Sequence, residues 1–205
     1  MITKEMIQKV RSPKELRKFV TEFIKDKNKI REERHKGILK KGFYKELIDE
    51  LVPLSIFCEM KYDEDVVVNL IVGSQPYDAE IKKKDDDILI DRIEITTPCD
   101  GATNAEEARK VVNIGFGFFQ SGKPGEEVEE LIPFIKKTCE QKAIKDYSDC
   151  IFLISISYIP PFDEFKEIYD EKIEKVIKVI KEFTFRAKKV YLLIAYEQRL
   201  FEVTY

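Results

Sequence analysis

The chain of 205 residues has no tryptophan and a single histidine, His35. A site that needs two or more histidines is therefore excluded. Its four cysteines, Cys58, Cys99, Cys139 and Cys150, are spaced by 41, 40 and 11 residues, so no CxxC pair exists. That spacing argues against a zinc ribbon and against a disulfide-dense secreted module. No apolar run approaches the ~18 residues that a membrane helix needs. The opening stretch, MITKEMIQKVRSPKELRK, lacks the apolar core of a signal peptide. The expectation is a soluble, reduced, cytoplasmic protein with no membrane partner.

What is present is apolar mass and charge. Hydrophobic residues make up 43% and charged residues 37%. The first is enough for a core and speaks against global disorder. The second exceeds the roughly 25% of ordinary soluble domains. The length fits one domain, or one domain with an arm. Charge is unevenly placed. Residues 1–42 hold 14 Lys/Arg against 6 Asp/Glu, a net of +8, while the remainder carries −11 of the total −3. A basic helical arm (1–42) on an acidic α/β domain (43–205) fits a phosphate-bearing partner, DNA or RNA. It equally fits a hairpin that docks on its own acidic body.

Local patterns give an element order. Ser12-Pro13-Lys14-Glu15 is a capping box with proline at the first helical position. Leu16, Phe19, Val20, Phe23 and Ile24 then share a helical face. A polar stretch follows as far as Gly42. A second helix is predicted from Phe43 to Phe57, with Leu47, Leu51, Leu54 and Phe57 inward and Pro53 as a kink or stop. Val66 to Val72, Tyr77 to Lys82 and Ile88 to Thr97 read as strands. A helix is expected over 105–114, and GFGFFQSGKPG as a loop. Glu126 to Lys145 reads as a helix, Cys150 to Ile159 as a strand, Asp163 to Phe183 as a helix and Lys189 to Tyr196 as a last strand. The order α–βββ–α–α–β–α–β predicts an α/β fold, a mixed central sheet flanked by helices.

Two neighbouring strands bring acids together. Asp78 and Glu80 are two apart and point to one face; Arg92, Glu94 and Thr96 share a face, with Ile93 and Ile95 on the other. A hairpin between them sets Asp78 near Glu94. Carboxylates gathered on one side of a sheet repel unless neutralised, and a hard divalent cation with oxygen ligands does this. Glu46 and Glu50, one helical turn apart, can add a ligand from a third element. The same pattern also fits surface acids on an exposed sheet face.

Pro76-Tyr77-Asp78, followed sixteen residues later by Glu94 in Ile93-Glu94-Ile95-Thr96, resembles the PD-(D/E)xK nuclease superfamily. The likeness covers roughly residues 43–158. The segments GSQPYDAEI, RIEITTPCDG and AIKDYSDCIFLISI are similar to bacterial members with an "EIT" form of the third-strand motif. The resemblance implies a restriction-endonuclease-like core and Mg²⁺- or Mn²⁺-dependent cleavage of phosphodiesters. Asp78 and Glu94 would hold the ion, with Glu46 or Glu50 completing the shell and Ile95 supplying a backbone carbonyl. The motif lysine is replaced by Thr96, which brings no positive charge. Lys82, on the face of Asp78, is the first candidate to replace it. Lys110, Lys142 and Lys145 are others. Without such a lysine the fold would serve as an inert binding module. A structural or oligomerisation role for the basic arm is a third reading.

Other residues point less directly to a site. Asp100 and Gln75 lie in turns that border the motif, and Gln75 could touch substrate. Gln141, Lys142, Lys145 and Tyr147 stand where superfamily members often place polar side chains, or on a solvated helix end. His35 reads as an exposed polar residue and Cys99 as a packed thiol. Gly115 to Phe119 lacks the spacing of a nucleotide loop.

Overall fold

In the computed structural model, residues 2–38, 42–73, 75–98, 125–156 and 165–203 are described. The helices are α1 (Lys4–Gln8), α2 (Pro13–Lys25), α3 (Lys27–Ile38), α4 (Val52–Lys61), α5 (Glu126–Ala143) and α6 (Lys166–Lys181), and a π-helical segment (Glu46–Leu51) precedes α4. The strands are β1 (Val66–Leu70), β2 (Ala79–Lys83), β3 (Leu89–Thr96), β4 (Asp146–Ile156), β5 (Arg186–Ile194) and β6 (Arg199–Glu202). They form one mixed six-stranded sheet in the order β1-β2-β3-β4-β5-β6, flanked by helices, as the element order predicts. Among the described residues, no helix is long and apolar enough to cross a membrane.

The chain divides into two compact units, Met1–Thr96 with Asp149–Leu153, and Thr97–Ser148 with Ile154–Tyr205. This division falls elsewhere than residue 42, and the helices of the basic segment belong to the first unit. There α2 packs against α4 and β1. It buries Leu16, Val20 and Phe23, three of the five residues of its apolar stripe, while Ile24 is 38% exposed. The capping box is complete: Ser12 N–H donates to Glu15 Oε2 at 3.0 Å, and the Ser12 hydroxyl accepts from Glu15 N–H. Glu64 then fixes this start to the body by accepting from the Ser12 hydroxyl (2.7 Å) and from Lys14 N–H (3.1 Å). Arg11 pairs with Val68 through both backbone bonds, so the chain covers the outer edge of β1.

The second predicted helix is longer than expected and changes character along its length. Leu47, Leu51, Leu54 and Phe57 are buried, as the spacing predicts. Ahead of Pro53, however, the ladder is π-spaced, with Val52 N–H donating to the Leu47 carbonyl. Proline has no N–H to donate. The ladder changes pitch beside the residue that skips a donor, and α4 then runs past Phe57 to Lys61.

In the first unit β1 and β2 are antiparallel, with Val68 opposite Ile81, and β2 and β3 are antiparallel, with Glu80 opposite Arg92. An irregularity between Ile81 and Lys82 shifts the register toward the hairpin tip. In the second unit α5 packs against α6. Lys172 and Lys175 flank Glu129, and Tyr169 hydrogen-bonds Glu127. Apolar runs bury Val190 to Ile194 of β5, as expected of a strand covered on both faces. The sequence reading missed β6. Its turn places Gln198 at φ 53, a position without the usual glycine or asparagine signal. The five-residue α1 is too short, and the polar α3 too poor in apolar residues, to show a helical stripe in the sequence.

Candidate functional site

Asp78 sits one residue ahead of β2 and is fixed from two sides. Its N–H donates to the Ile93 carbonyl (2.8 Å) and its carbonyl accepts from Ile71 N–H (2.7 Å). Its side chain reaches across as well: Oδ2 accepts the backbone N–H of Ile95 at 2.7 Å. The paired register ends at Ala79 opposite Ile93, and Asp78, just beyond it, meets β3 through these irregular bonds to Ile93 and Ile95 on either side of Glu94. Glu94 is 8% exposed, an unusual burial for a carboxylate. The expected second strand, from Tyr77, begins only at Ala79, so Asp78 lies just ahead of it while Glu94 is within β3.

The π-helical segment packs against β3. It carries Glu46, Asp49 and Glu50. The Glu50 carboxyl is pushed up to about 7, first by burial and then by the charge of Asp78, with Glu46 and Asp49 adding and Lys45 opposing. Asp49 is also raised, first by burial, against Lys45 and with Glu46. Charge repulsion thus links Glu50 to Asp78 across two elements of the fold. Strong perturbation by burial and a specific neighbour is typical of functional sites, as is π-helical geometry.

Further along the same face lies a polar cluster. Arg92 stands with its guanidinium carbon 4.9 Å from the centre of the Tyr77 ring and pairs with Asp149 of β4. The Tyr77 hydroxyl donates to Glu80 Oε1 at 2.9 Å. Lys82 bridges Glu80 and Asp87 at 3.4 Å each, near the hairpin tip. It is four residues from Asp78, about 13 Å along an extended strand. Among the cations of the hairpin, Arg92 is two residues from Glu94. The sequence reading named Arg92 only as a face-mate of Glu94. The signal was present, because Arg92 is the one basic residue of LIDRIEIT.

Other expected residues fall as follows. Thr96 ends β3 and is half-buried. Ile95 is buried, and its N–H is the group bonded to Asp78. The Gln75 amide donates to the Ile71 carbonyl at 2.9 Å, within its own turn. Gln141 and Lys145 are exposed, and Lys142 lies over the ring of the buried Tyr147. The Cys150 thiol is pushed up to about 12, chiefly by burial and then by its hydrogen bond to Asp149, so it is no nucleophile at neutral pH. Cys99, Asp100, Lys110, residues 115–119 and the His35 side chain lie outside the described residues.

The donor set is all carboxylate oxygen, which suits Mg²⁺ or Mn²⁺ over softer metals. Among the described residues, no three His, Cys, Asp or Glu side chains converge to form a metal-holding group. What fits is a lighter arrangement, since Mg²⁺ commonly takes one or two protein carboxylates with water and substrate phosphate as the other ligands. Asp78 and Glu94 are the pair that would serve. Comparison with family models, with curated proteins and with solved structures gives no match.

Proposed function

We propose that this chain is a metal-dependent phosphodiesterase acting on nucleic acid, nuclease-like in its chemistry. The observation that carries the reading is the coupling of Glu50 to Asp78, with the buried Glu94 on β3 beside the Ile95 N–H that Asp78 accepts. A bound Mg²⁺ or Mn²⁺ would contribute positive charge that acidifies a water and offsets charge on the phosphoryl oxygens. Asp78 and Glu94 would hold it. Glu50, with its carboxyl near 7, is matched to accept the proton of the attacking water. The water oxygen forms the new bond to phosphorus, the ester P–O bond breaks, and the leaving oxygen takes a proton from solvent.

The basic segment supports the choice of a polyanion. On α3, Lys27, Arg31 and Arg34 are exposed at positions i, i+4 and i+7, along one helical face. A second reading, a nuclease-like module that binds without cutting, is favoured by one feature. Thr96 brings no charge, and Asp78 already gives Oδ2 to the strand. One assay separates the two: incubation of plasmid, single-stranded DNA and RNA with Mn²⁺ or Mg²⁺. Cleavage that disappears in Glu94→Ala supports the phosphodiesterase. Intact substrates with both metals leave the binding module.

A further inference from the structure

We propose that Arg92 is a seat for one phosphate of the nucleic-acid strand, which takes the place of the Asp149 carboxylate on the guanidinium. The inference rests on the phosphodiesterase reading for the class of ligand. It deepens that reading by naming the side chain that grips the substrate next to the acids.

Arg92 lies on β3 two residues before Glu94, on the same face. That is about 7 Å along a strand, comparable with the step from a scissile phosphate to its neighbour. The guanidinium is held over the Tyr77 ring, and the ring is in turn tied through its hydroxyl to Glu80. Stacking of this kind fixes the plane of the donor fork. Although Glu80 is directly opposite in the register, its Oε1 stays 4.0 Å from Arg92 Nε. That nitrogen is buried and makes no hydrogen bond. A terminal nitrogen is taken by Asp149.

The fork is therefore rigid, partly unsatisfied, and closed on one side by a single carboxylate. The Asp149 side chain is 61% exposed, so the pair it forms is weak and salt-screened. A phosphate presents the same two-oxygen geometry to an arginine fork and adds charge. The local balance says why exchange is needed. Two cations, Arg92 and Lys82, face three carboxylates, Glu80, Asp87 and Asp149. A phosphate added to that set meets net negative charge, and departure of Asp149 makes the set neutral before the phosphate arrives.

The test is binding without turnover. Fluorescein-labelled single-stranded DNA and RNA of 20 nucleotides are titrated in EDTA against wild type, Arg92→Gln and Asp149→Asn, with anisotropy as readout over a salt series. Arg92→Gln is expected to weaken binding about tenfold and to lower the slope of log Kd against log salt by roughly 0.7, one single-strand contact. Asp149→Asn, at an exposed position that does not threaten the fold, is expected to tighten binding about threefold, since it removes a weak exposed competitor. Absence of wild-type binding, or an Asp149→Asn affinity equal to wild type, overturns the proposal, as does an unchanged Kd and slope in Arg92→Gln. The parent reading fails separately. Arg92-dependent binding with no cleavage under Mn²⁺ defeats the phosphodiesterase alone, and cleavage with Arg92-independent binding defeats this inference alone.

Discussion

The carboxylate of Asp78 accepts the backbone N–H of Ile95 at 2.7 Å, so an acid expected to serve chemistry also completes the sheet. The N–H is one that a ladder would normally give to a carbonyl, in a residue only 6% exposed. Structure and chemistry can be separated by substitution. Asp78→Asn keeps an oxygen acceptor in place. Asp78→Ala leaves a buried donor without a partner, at a cost of about 1–3 kcal/mol. Urea denaturation should show Asp78→Ala destabilised by that amount and Asp78→Asn by less than half as much, with both unable to cleave. Equal destabilisation in the two variants would instead assign the effect to lost charge.

Glu50 makes stability depend on pH in a direction opposite to most carboxylates. Its carboxyl rises from 4.5 to about 7 on folding, chiefly through burial and next through Asp78. Between those values the folded chain binds more protons than the unfolded chain. Stability from this group is therefore full below about pH 4.5 and lost as pH rises through 7. Glu50→Gln stays neutral throughout. In EDTA at pH 8 the Gln variant is expected to be more stable than wild type by on the order of 1–2 kcal/mol, discounted for partial exposure. At pH 4 the two should coincide. A constant offset at both pH values would refute the coupling.

Much of this was legible in residue order, for identifiable reasons. Strand alternation and the polar tip between Lys83 and Asp87 were sufficient to pair β2 with β3, because a hairpin leaves few registers. The capping box at Ser12 was legible because four adjacent residues specify it. The role of Glu64 in that cap was not, since it is a contact over 52 residues. The π pitch before Pro53 was half-legible: proline announced a fault, but residue order does not say whether the ladder answers with a kink, a stop or a change of pitch. Tyr77 ahead of β2, Arg92 on β3 and Asp149 on β4 meet in space, and Asp149 stands far along the chain from its partner. Periodicity carries no such pairing.

Pro53 should control the position of Glu50. The ladder is π-spaced up to Val52, immediately before the residue with no donor. Pro53→Ala supplies an N–H that can reach the Asp49 carbonyl four residues back and extend the α spacing. Loss of the π turn rotates Glu46 and Glu50 by about 100° relative to α4, the angle of one residue. Carboxyl NMR titration should then find Glu50 well below the value of about 7 it has in the native segment. A Glu50 titration unmoved by the substitution would mean that β3 packing, not proline, sets the pitch.

The joint between the basic segment and the body should behave as one coupled unit. Ser12 accepts from Glu15 N–H and donates to Glu64 at 2.7 Å, and Glu64 also accepts from Lys14 N–H. These bonds, led by the Ser12 hydroxyl, hold the Glu64 carboxyl below its ordinary value. Its contribution is thus present above the unfolded value and fades as pH falls through the folded one. Ser12→Ala removes the cap and the hydroxyl donor together, an effect of about 1 kcal/mol for the cap alone. Glu64→Gln leaves the cap and weakens the joint. Because the two residues share a hydrogen bond, the double variant should cost less than the sum of the singles at pH 7, with the difference shrinking as pH falls. Strict additivity at pH 7 would show that the joint is held by the packing of α2 on α4, and that the cap acts on its helix alone.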